Sequence, residues 1–389
     1  MNEVIKKRRI DEISMMKGLG MLMVIFVHMS TIAGASTEID FIAHIFSFLN
    51  TPVIMMFIYL SGYTRSVRMK SPFAMIANRA GRILIPYYSY TVVMILIYAV
   101  IYLGIEKRSI EWFTDGVLEM LFQLQSIHIF DPASSGVHPM FYGVITGWFL
   151  FQVVVAELVF IPILYVLKGK KNIWKLMISI VLISFGAILY KLNLQGLNGE
   201  FFPPVCKIFI LPNIPGISAL MLIGSFAADH SVLDFDSYSY SNIKKAIVLI
   251  TGIAVGVIFF LMDDHIYDFP IGKWGPFGSV SYFLAPICGM GCVLVLGLVC
   301  NMIRRFSRAK SFLIFIGDNS MDYLMIHFFV GIITAYIGGF WHEFLYDPVP
   351  RDDPVLNYLH FVILIVVVLA VCGPVVMLKS HRIERKNAL

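Results

Sequence analysis

The chain has 389 residues, 58% of them hydrophobic and only 14% charged, with a mean hydropathy of +0.80. That balance excludes an ordinary soluble domain, because apolar stretches of about 20 residues, each able to cross roughly 30 Å of hydrocarbon as a helix, recur along the whole length. A net charge of +5 does not point to nucleic acid, since the basic residues sit in short blocks between apolar runs, where membrane topology alone requires them.

The sequence predicts an all-α, polytopic membrane bundle of about ten transmembrane helices, near residues 14–35, 42–64, 83–103, 146–167, 173–192, 205–228, 246–262, 280–303, 312–337 and 355–378. With both termini cytoplasmic, all Lys and Arg except Lys107, Arg108, Lys191, Lys207, Lys273 and Arg351 fall in inside segments, a bias that favours this orientation over its inverse. No repeat, low-complexity tract or linker divides the chain, so residues 1–389 are read as one integral membrane domain.

The first run, MMKGLGMLMVIFVHMS at 15–30, follows a basic KKRR at 6–9 and precedes a small-residue Ala33-Gly34-Ala35. A secretory signal can begin this way, but the many later spans favour a retained anchor. Lys17 and His28 stand eleven residues apart, three helical revolutions, so they share a face with Ser14. Their axial separation of about 16 Å puts Lys17 at the cytoplasmic interface and His28 near or beyond the midplane. A lysine can snorkel from a helix end. A histidine at that depth must face a bundle interior or a wet cavity, as a catalyst or as a hydrogen-bonded structural group.

The second run ends in Leu60-Ser61-Gly62-Tyr63, and the third begins with Arg79-x-x-Arg82 and Pro86-Tyr87. Arg79 and Arg82, three apart, project from nearly the same side of a helix and suit phosphate oxygens, although positive-inside decoration explains the same spacing. For Arg65, Arg68 and Lys70 decoration is the preferred reading. IEWFTDGVLEMLFQL at 110–124 mixes acidic and apolar residues at helical spacing, which predicts a helix lying flat on the outer interface, as a lid or packed over the bundle. The fourth run carries Trp148-Phe149-Leu150 and then Glu157, a carboxylate at membrane depth that is either protonated or paired with an arginine or histidine. Pro203, Pro204, Pro212 and Pro215 predict a kinked or broken sixth span.

In GDNSMDYLMIHFFV at 317–330, Asn319, Tyr323 and His327 follow at i, i+4 and i+8, with Ser320 beside them. This polar stripe on an apolar helix is either glue between helices or one side of a cavity. His128, His138, His265 and His342 fall in outward loops and are read as surface. The five cysteines lack CxxC spacing and read as small core hydrophobes. No cluster has metal-ligand spacing, and no metal is expected.

Together these segments resemble the membrane-bound acyltransferase 3 family. Lys17 with ten residues before His28 is similar to its Arg/Lys-x10-His signature, Ser61-Gly62-Tyr63 to its SGY, Arg79-x-x-Arg82 with Pro86-Tyr87 to its RxxR and Pro-Tyr, and Trp148-Phe149-Leu150 to its WFL. Asn319-Ser320, Tyr323 and His327 are similar to its NS-x-x-Y-x-x-x-H. The matches cover nearly the whole chain in the expected order. One departure is Ser14, where the family commonly has an acidic residue.

The resemblance implies an enzyme of a bacterial cytoplasmic (inner) membrane. It would transfer an acyl group, usually acetyl, from cytoplasmic acyl-coenzyme A (acetyl-CoA) to a hydroxyl of a cell-envelope polysaccharide or lipid-linked sugar. Its implied partners are the donor, the glycan acceptor and the bilayer, without nucleic acid; a homo-oligomer is compatible with it. Lys17, Arg79 and Arg82 would hold the donor, His28 would act as general base, and Asn319, Ser320, Tyr323 and His327 would orient the acceptor or stabilise the oxyanion. Ser61, Tyr63, Trp148 and Glu157 would line the substrate path. Direct transfer and an acyl-enzyme route both stay open, although no cysteine is persuasively placed. The same spans and intramembrane polar groups would also serve a transporter or flippase of a polysaccharide intermediate, or a sensor that keeps a degenerate acyltransferase bundle.

Overall fold

The computed structural model describes residues 11–33, 53–65, 71–122, 147–194, 214–235, 242–261, 281–338 and 354–388. Among them there is no strand. The helices in chain order are α1 (Asp11–Ile32), α2 (Val53–Tyr63), α3 (Pro72–Tyr98, continued by a wider π-helical segment Ala99–Ile105), α4 (Ile110–Phe122), α5 (Gly147–Val166), α6 (Ile173–Leu194), α7 (Ile214–Asp229), α8 (Asn242–Leu261), α9 (Ser281–Ile303), α10 (Ser307–Asp318), α11 (Ser320–Ile337) and α12 (Pro354–Ala388). Among the described residues, five stretches are long and apolar enough to cross a membrane: Asp11–Ile32, Pro72–Ile105, Phe149–Val166, Ser320–Ile337 and Val355–Lys379. The other five expected spans coincide with helices that carry shorter apolar stretches of 10–17 residues. Apolar side chains face outward as well as inward: Ile85, Val92, Leu96 and Val100 of α3 and Val355, Val362 and Val366 of α12 are exposed. An exposed apolar surface of this extent suits lipid, and the molecule is a multi-pass membrane protein.

Two boundaries differ from the sequence expectation. The third span starts eleven residues early, because Pro72 needs no intrahelical N–H partner at a helix start and Ser71 supplies the extended cap residue. Arg79 and Arg82 therefore stand two turns inside α3. The run 312–337 is two helices, separated at Asn319 (φ −107°, ψ 18°). The Asn319 side-chain amide donates to the Phe315 carbonyl at 2.8 Å, beside the Asn319 backbone N–H at 3.3 Å. Of the proline-interrupted sixth span, residues 203–213 lie outside the described residues, and α7 begins at Ile214-Pro215.

Close helix contacts rest on glycines. A Cβ on Gly18 of α1 would overlap the Leu313 carbonyl of α10, and one on Gly317 of α10 would overlap the Ser14 carbonyl of α1. Likewise, Gly62 of α2 lies against the backbone of Met221 in α7, and Gly224 of α7 against the Tyr59 carbonyl of α2. The absent side chains let the backbones touch, the usual way to gain contact where no hydrophobic drive separates helix from lipid.

Helix directions follow from paired residues. Ser14 meets Asp318, His28 meets His327 and Met29 meets Gly331, so α1 and α11 run parallel. Arg79 meets Glu157 and Tyr87 meets Phe151, so α3 and α5 are antiparallel. Instead of lying flat, α4 folds back along α3. Tyr102 meets Trp112 edge-on at 4.8 Å, and the Tyr87 hydroxyl donates to the Met120 carbonyl two turns further along α4. The cause is its apolar side: Phe113 and Met120 are buried against the bundle, which matches the alternative of a helix packed over it.

The glycine contacts make a prediction. Gly62→Val should lower the melting temperature of the purified protein, with overpacking costing about 1–3 kcal/mol. Gly81→Ala, whose new Cβ would only touch the Ile85 side chain at 3.7 Å, should leave it unchanged. Thermal unfolding of both variants in detergent checks the contrast.

Candidate active site

The parallel course of α1 and α11 brings together two histidines that are 299 residues apart in sequence. His28 Nδ1 lies 2.7 Å from His327 Nε2, and the rings are nearly parallel, at 9° with centroids 5.1 Å apart. His327 is fully buried, and its Nδ1 lies 2.9 Å from the Tyr323 carbonyl oxygen. A carbonyl oxygen only accepts, so His327 Nδ1 carries the proton and the neutral ring presents Nε2 as acceptor. His28 Nδ1 must then be the donor. The lone pair of neutral His28 is therefore at Nε2, and the backbone of α11 fixes which atom of His28 can take up a proton. Phe328 meets the His28 ring edge-on at 5.2 Å, closing one side with hydrocarbon.

A second constellation lies towards the Lys17 end of α1. Glu157 of α5 is 1% exposed, and its Oε1 accepts from Arg65 Nη2 at 2.8 Å and from Arg79 Nε at 2.9 Å. Arg79 Nη2 also donates to the Ser61 hydroxyl at 3.1 Å. A buried carboxylate stays charged only when paired, and two guanidinium groups meet that need. Arg65 Nε–H is buried with no hydrogen-bond partner among the described residues. Lys17 feels the charges of Arg79 and Asp318, and Arg65 those of Arg79 and Arg82. Two guanidinium groups thus share one buried carboxylate, with a donor to spare, and Lys17 and Arg82 are near enough for their charges to act on the cluster.

The first turn of α1 is pinned by further pairs. Asp11 meets Lys310 at 2.7 Å, and Glu12 accepts from Arg304 at 2.8 Å and Asn301 at 3.1 Å. Ser14, the departure noted in the sequence, donates to Asp318 at 2.8 Å, so α10 supplies the carboxylate that α1 lacks there. At the start of α11, Asp322 accepts from the Tyr90 hydroxyl of α3 at 2.9 Å and pairs with Lys379 of α12, whose ammonium also lies 5.3 Å from the Tyr90 ring centroid. This buried carboxylate ties three helices together directly beneath the histidine pair.

The expected site residues divide accordingly. His28 and His327 meet each other, and Ser61, Arg79 and Glu157 meet in the cluster. Tyr323 is buried and contributes its carbonyl to His327. Asn319 and Ser320 begin α11, about 10–12 Å along it from His327, so they stand nearer the charged cluster's depth than the histidines'. Arg82 is exposed on α3. Tyr63 packs in the core beside Tyr59, and its hydroxyl accepts from the Leu233 amide at 3.2 Å, which places it as a prop for the segment after α7. Trp148 begins α5, and its side chain lies outside the described residues, as do His128, His138, His265 and His342.

Sequence reading missed Arg65, which reaches back to Glu157 instead of marking topology. It also missed Asp322, hidden inside the quoted segment 317–330, and the buried Asn357 and His360 of α12. A charge or amide inside an apolar run was the available signal for Asp322, Asn357 and His360. For Arg65, at the end of its helix, there was none. Cys292, Cys300 and Cys372 are buried, as core residues should be, and no group of three metal-ligating side chains occurs among the described residues.

Compared with known proteins, the chain matches the family model described as an acyltransferase domain over residues 10–377. No curated protein and no solved structure matches it.

Removing the charge that holds the cluster tests its arrangement. Glu157→Gln leaves Arg65 and Arg79 partly buried without a counter-charge, and should destabilise the protein by about 2–4 kcal/mol, somewhat less than for fully enclosed pairs because both arginines reach solvent. The double change Glu157→Gln, Arg65→Gln should recover part of that loss, measured by the same thermal unfolding.

Proposed function

The chain belongs to the acyltransferase 3 family, and from that premise we propose that it moves an acyl group, acetyl foremost, from cytoplasmic acyl-coenzyme A to a hydroxyl of an envelope polysaccharide or lipid-linked sugar. The observation that carries the reading is the histidine pair, because it leaves His28 Nε2 as the proton acceptor at the depth where donor and acceptor would meet.

An alcohol is a poor nucleophile at neutral pH. His28 Nε2 takes its proton as the oxygen attacks the thioester carbonyl carbon, giving a tetrahedral intermediate with a negative oxygen. The intermediate collapses by expelling the coenzyme A sulfur, which receives the proton held on His28, so that ester and free thiol leave and the enzyme returns to its starting state. While His28 is doubly protonated, its Nδ1–H bond to His327 becomes charge-assisted, and His327 is itself fixed by the Tyr323 carbonyl. His327 thus orients and steadies the base.

The excess charge at Lys17, Arg65, Arg79 and Arg82 supports a phosphate-bearing donor at that end. Lys17 and His28 are about 16 Å apart along α1, a span that a thin pantetheine arm can follow. The bias of Lys and Arg along the sequence supports placing this end at the cytoplasmic face of a bacterial inner membrane.

His28→Ala should lower kcat by about 10²–10⁴-fold while still binding donor. His327→Ala should lower it less, since it removes the orienting partner and leaves the base. Arg79→Ala should chiefly raise the KM for donor. Transfer assays on purified protein, with acyl-coenzyme A and acceptor glycans from the envelope, give all three values. Turnover undiminished in His28→Ala would remove that residue as the base.

A further inference from the structure

Gln152 of α5 is 2% exposed, and both polar atoms of its side chain, Oε1 and Nε2, are enclosed without a hydrogen-bond partner among the described residues. An amide buried unpaired weakens a fold, and an apolar side chain of the same shape would serve better. Nothing in the bundle explains its presence. Its depth does suggest a use. Next to it on α5, Phe151 meets Tyr87 and Tyr88 of α3, with ring centroids 5.1 and 6.4 Å away. Five residues further along α5, about 7 Å, Glu157 holds the arginine cluster. In the other direction α3 climbs from Tyr87 to Tyr90, which bonds Asp322, and His327 lies five residues beyond on α11. Gln152 is therefore between the charged cluster and the histidine pair in depth.

The missing partner must offer a donor to Oε1 and an acceptor to Nε2 side by side. Phosphate and carboxylate offer acceptors only, and hydrocarbon offers neither. A planar trans amide turns its N–H and C=O to opposite sides, but two secondary amides in succession can turn the N–H of one and the C=O of the next to the same side. The arm that joins the nucleotide of coenzyme A to its sulfur contains secondary amides.

We propose that Gln152 is a specificity-determining residue that accepts from the N–H of one amide and donates to the C=O of the next along the donor's pantetheine arm, an inference that rests on the donor assignment above. By holding the arm partway, it sets how far the thioester rises and so where its carbonyl stops relative to His28.

The test uses the full-length protein purified in detergent and measures affinity for coenzyme A and for adenosine bisphosphate, the nucleotide end without the arm. Gln152→Leu and Gln152→Met should bind coenzyme A about tenfold more weakly than wild type and adenosine bisphosphate equally well. Their unliganded melting temperatures should match or exceed that of wild type, since each removes an unpaired amide. Coenzyme A bound equally by wild type and both variants would overturn the proposal, as would equal weakening towards both probes, which marks a general distortion. A wild-type protein that binds neither probe would overturn the donor assignment itself, and this inference with it.

Discussion

Polar groups buried in an apolar bundle must find partners inside the protein, because neither lipid nor water supplies them there. That constraint organises the molecule. Glu157 needs Arg65 and Arg79, and so draws α2, the segment after it, and α3 against α5. Asp322 needs Tyr90 and Lys379, and so ties α11 to α3 and α12. Glu12 needs Arg304 and Asn301, and so fixes α1 to the end of α9. Each pairing is costly to break, since the group left behind would be buried alone. Glycine contacts then bring the tied backbones together at Gly18, Gly62, Gly224 and Gly317.

The two halves of the candidate site obey the same constraint differently. The cluster around Glu157 carries more positive charge than its carboxylates balance, and it keeps an enclosed N–H of Arg65 without a partner among the described residues. The histidine pair carries no formal charge when neutral and is held by a chain of donors ending on a carbonyl. Under the proposed function, this arrangement of a charged cluster and, deeper in the bundle, a neutral pair suits a ligand with a polar anionic end and a slender remainder. It also keeps the base in a chosen tautomer before any substrate arrives, which is the preorganisation that proton transfer rewards.

Much of this was legible in the sequence where a polar residue interrupts an apolar run. Lys17, His28, Glu157 and His327 announced themselves in that way. The helical period placed Lys17 and His28 on one face, but no periodicity could say that His28 would meet His327, because that contact depends on α1 and α11 running side by side. The pairing of Arg79 with Glu157 was equally a matter of tertiary arrangement, although a partner for Glu157 was demanded by its depth. Arg65 looked like topology because its neighbours Arg68 and Lys70 are the sort of residue any inside turn has. The break at Asn319 escaped notice although Gly317-Asp318-Asn319-Ser320 interrupts the apolar run, because the apolar residues on either side fit one continuous span. The antiparallel course of α4 was missed because its charged residues suggested an interface, whereas its buried side is set by Tyr87 and Tyr102.

Because the two imidazoles reside on the opening helix and on α11, they belong to opposite ends of the polypeptide. A ribosome must translate most of the message before the second ring exists to meet the first. Under the proposed mechanism the nascent chain thus holds the base long before the ring that orients it, and the fixed tautomer is reached only when synthesis is nearly complete.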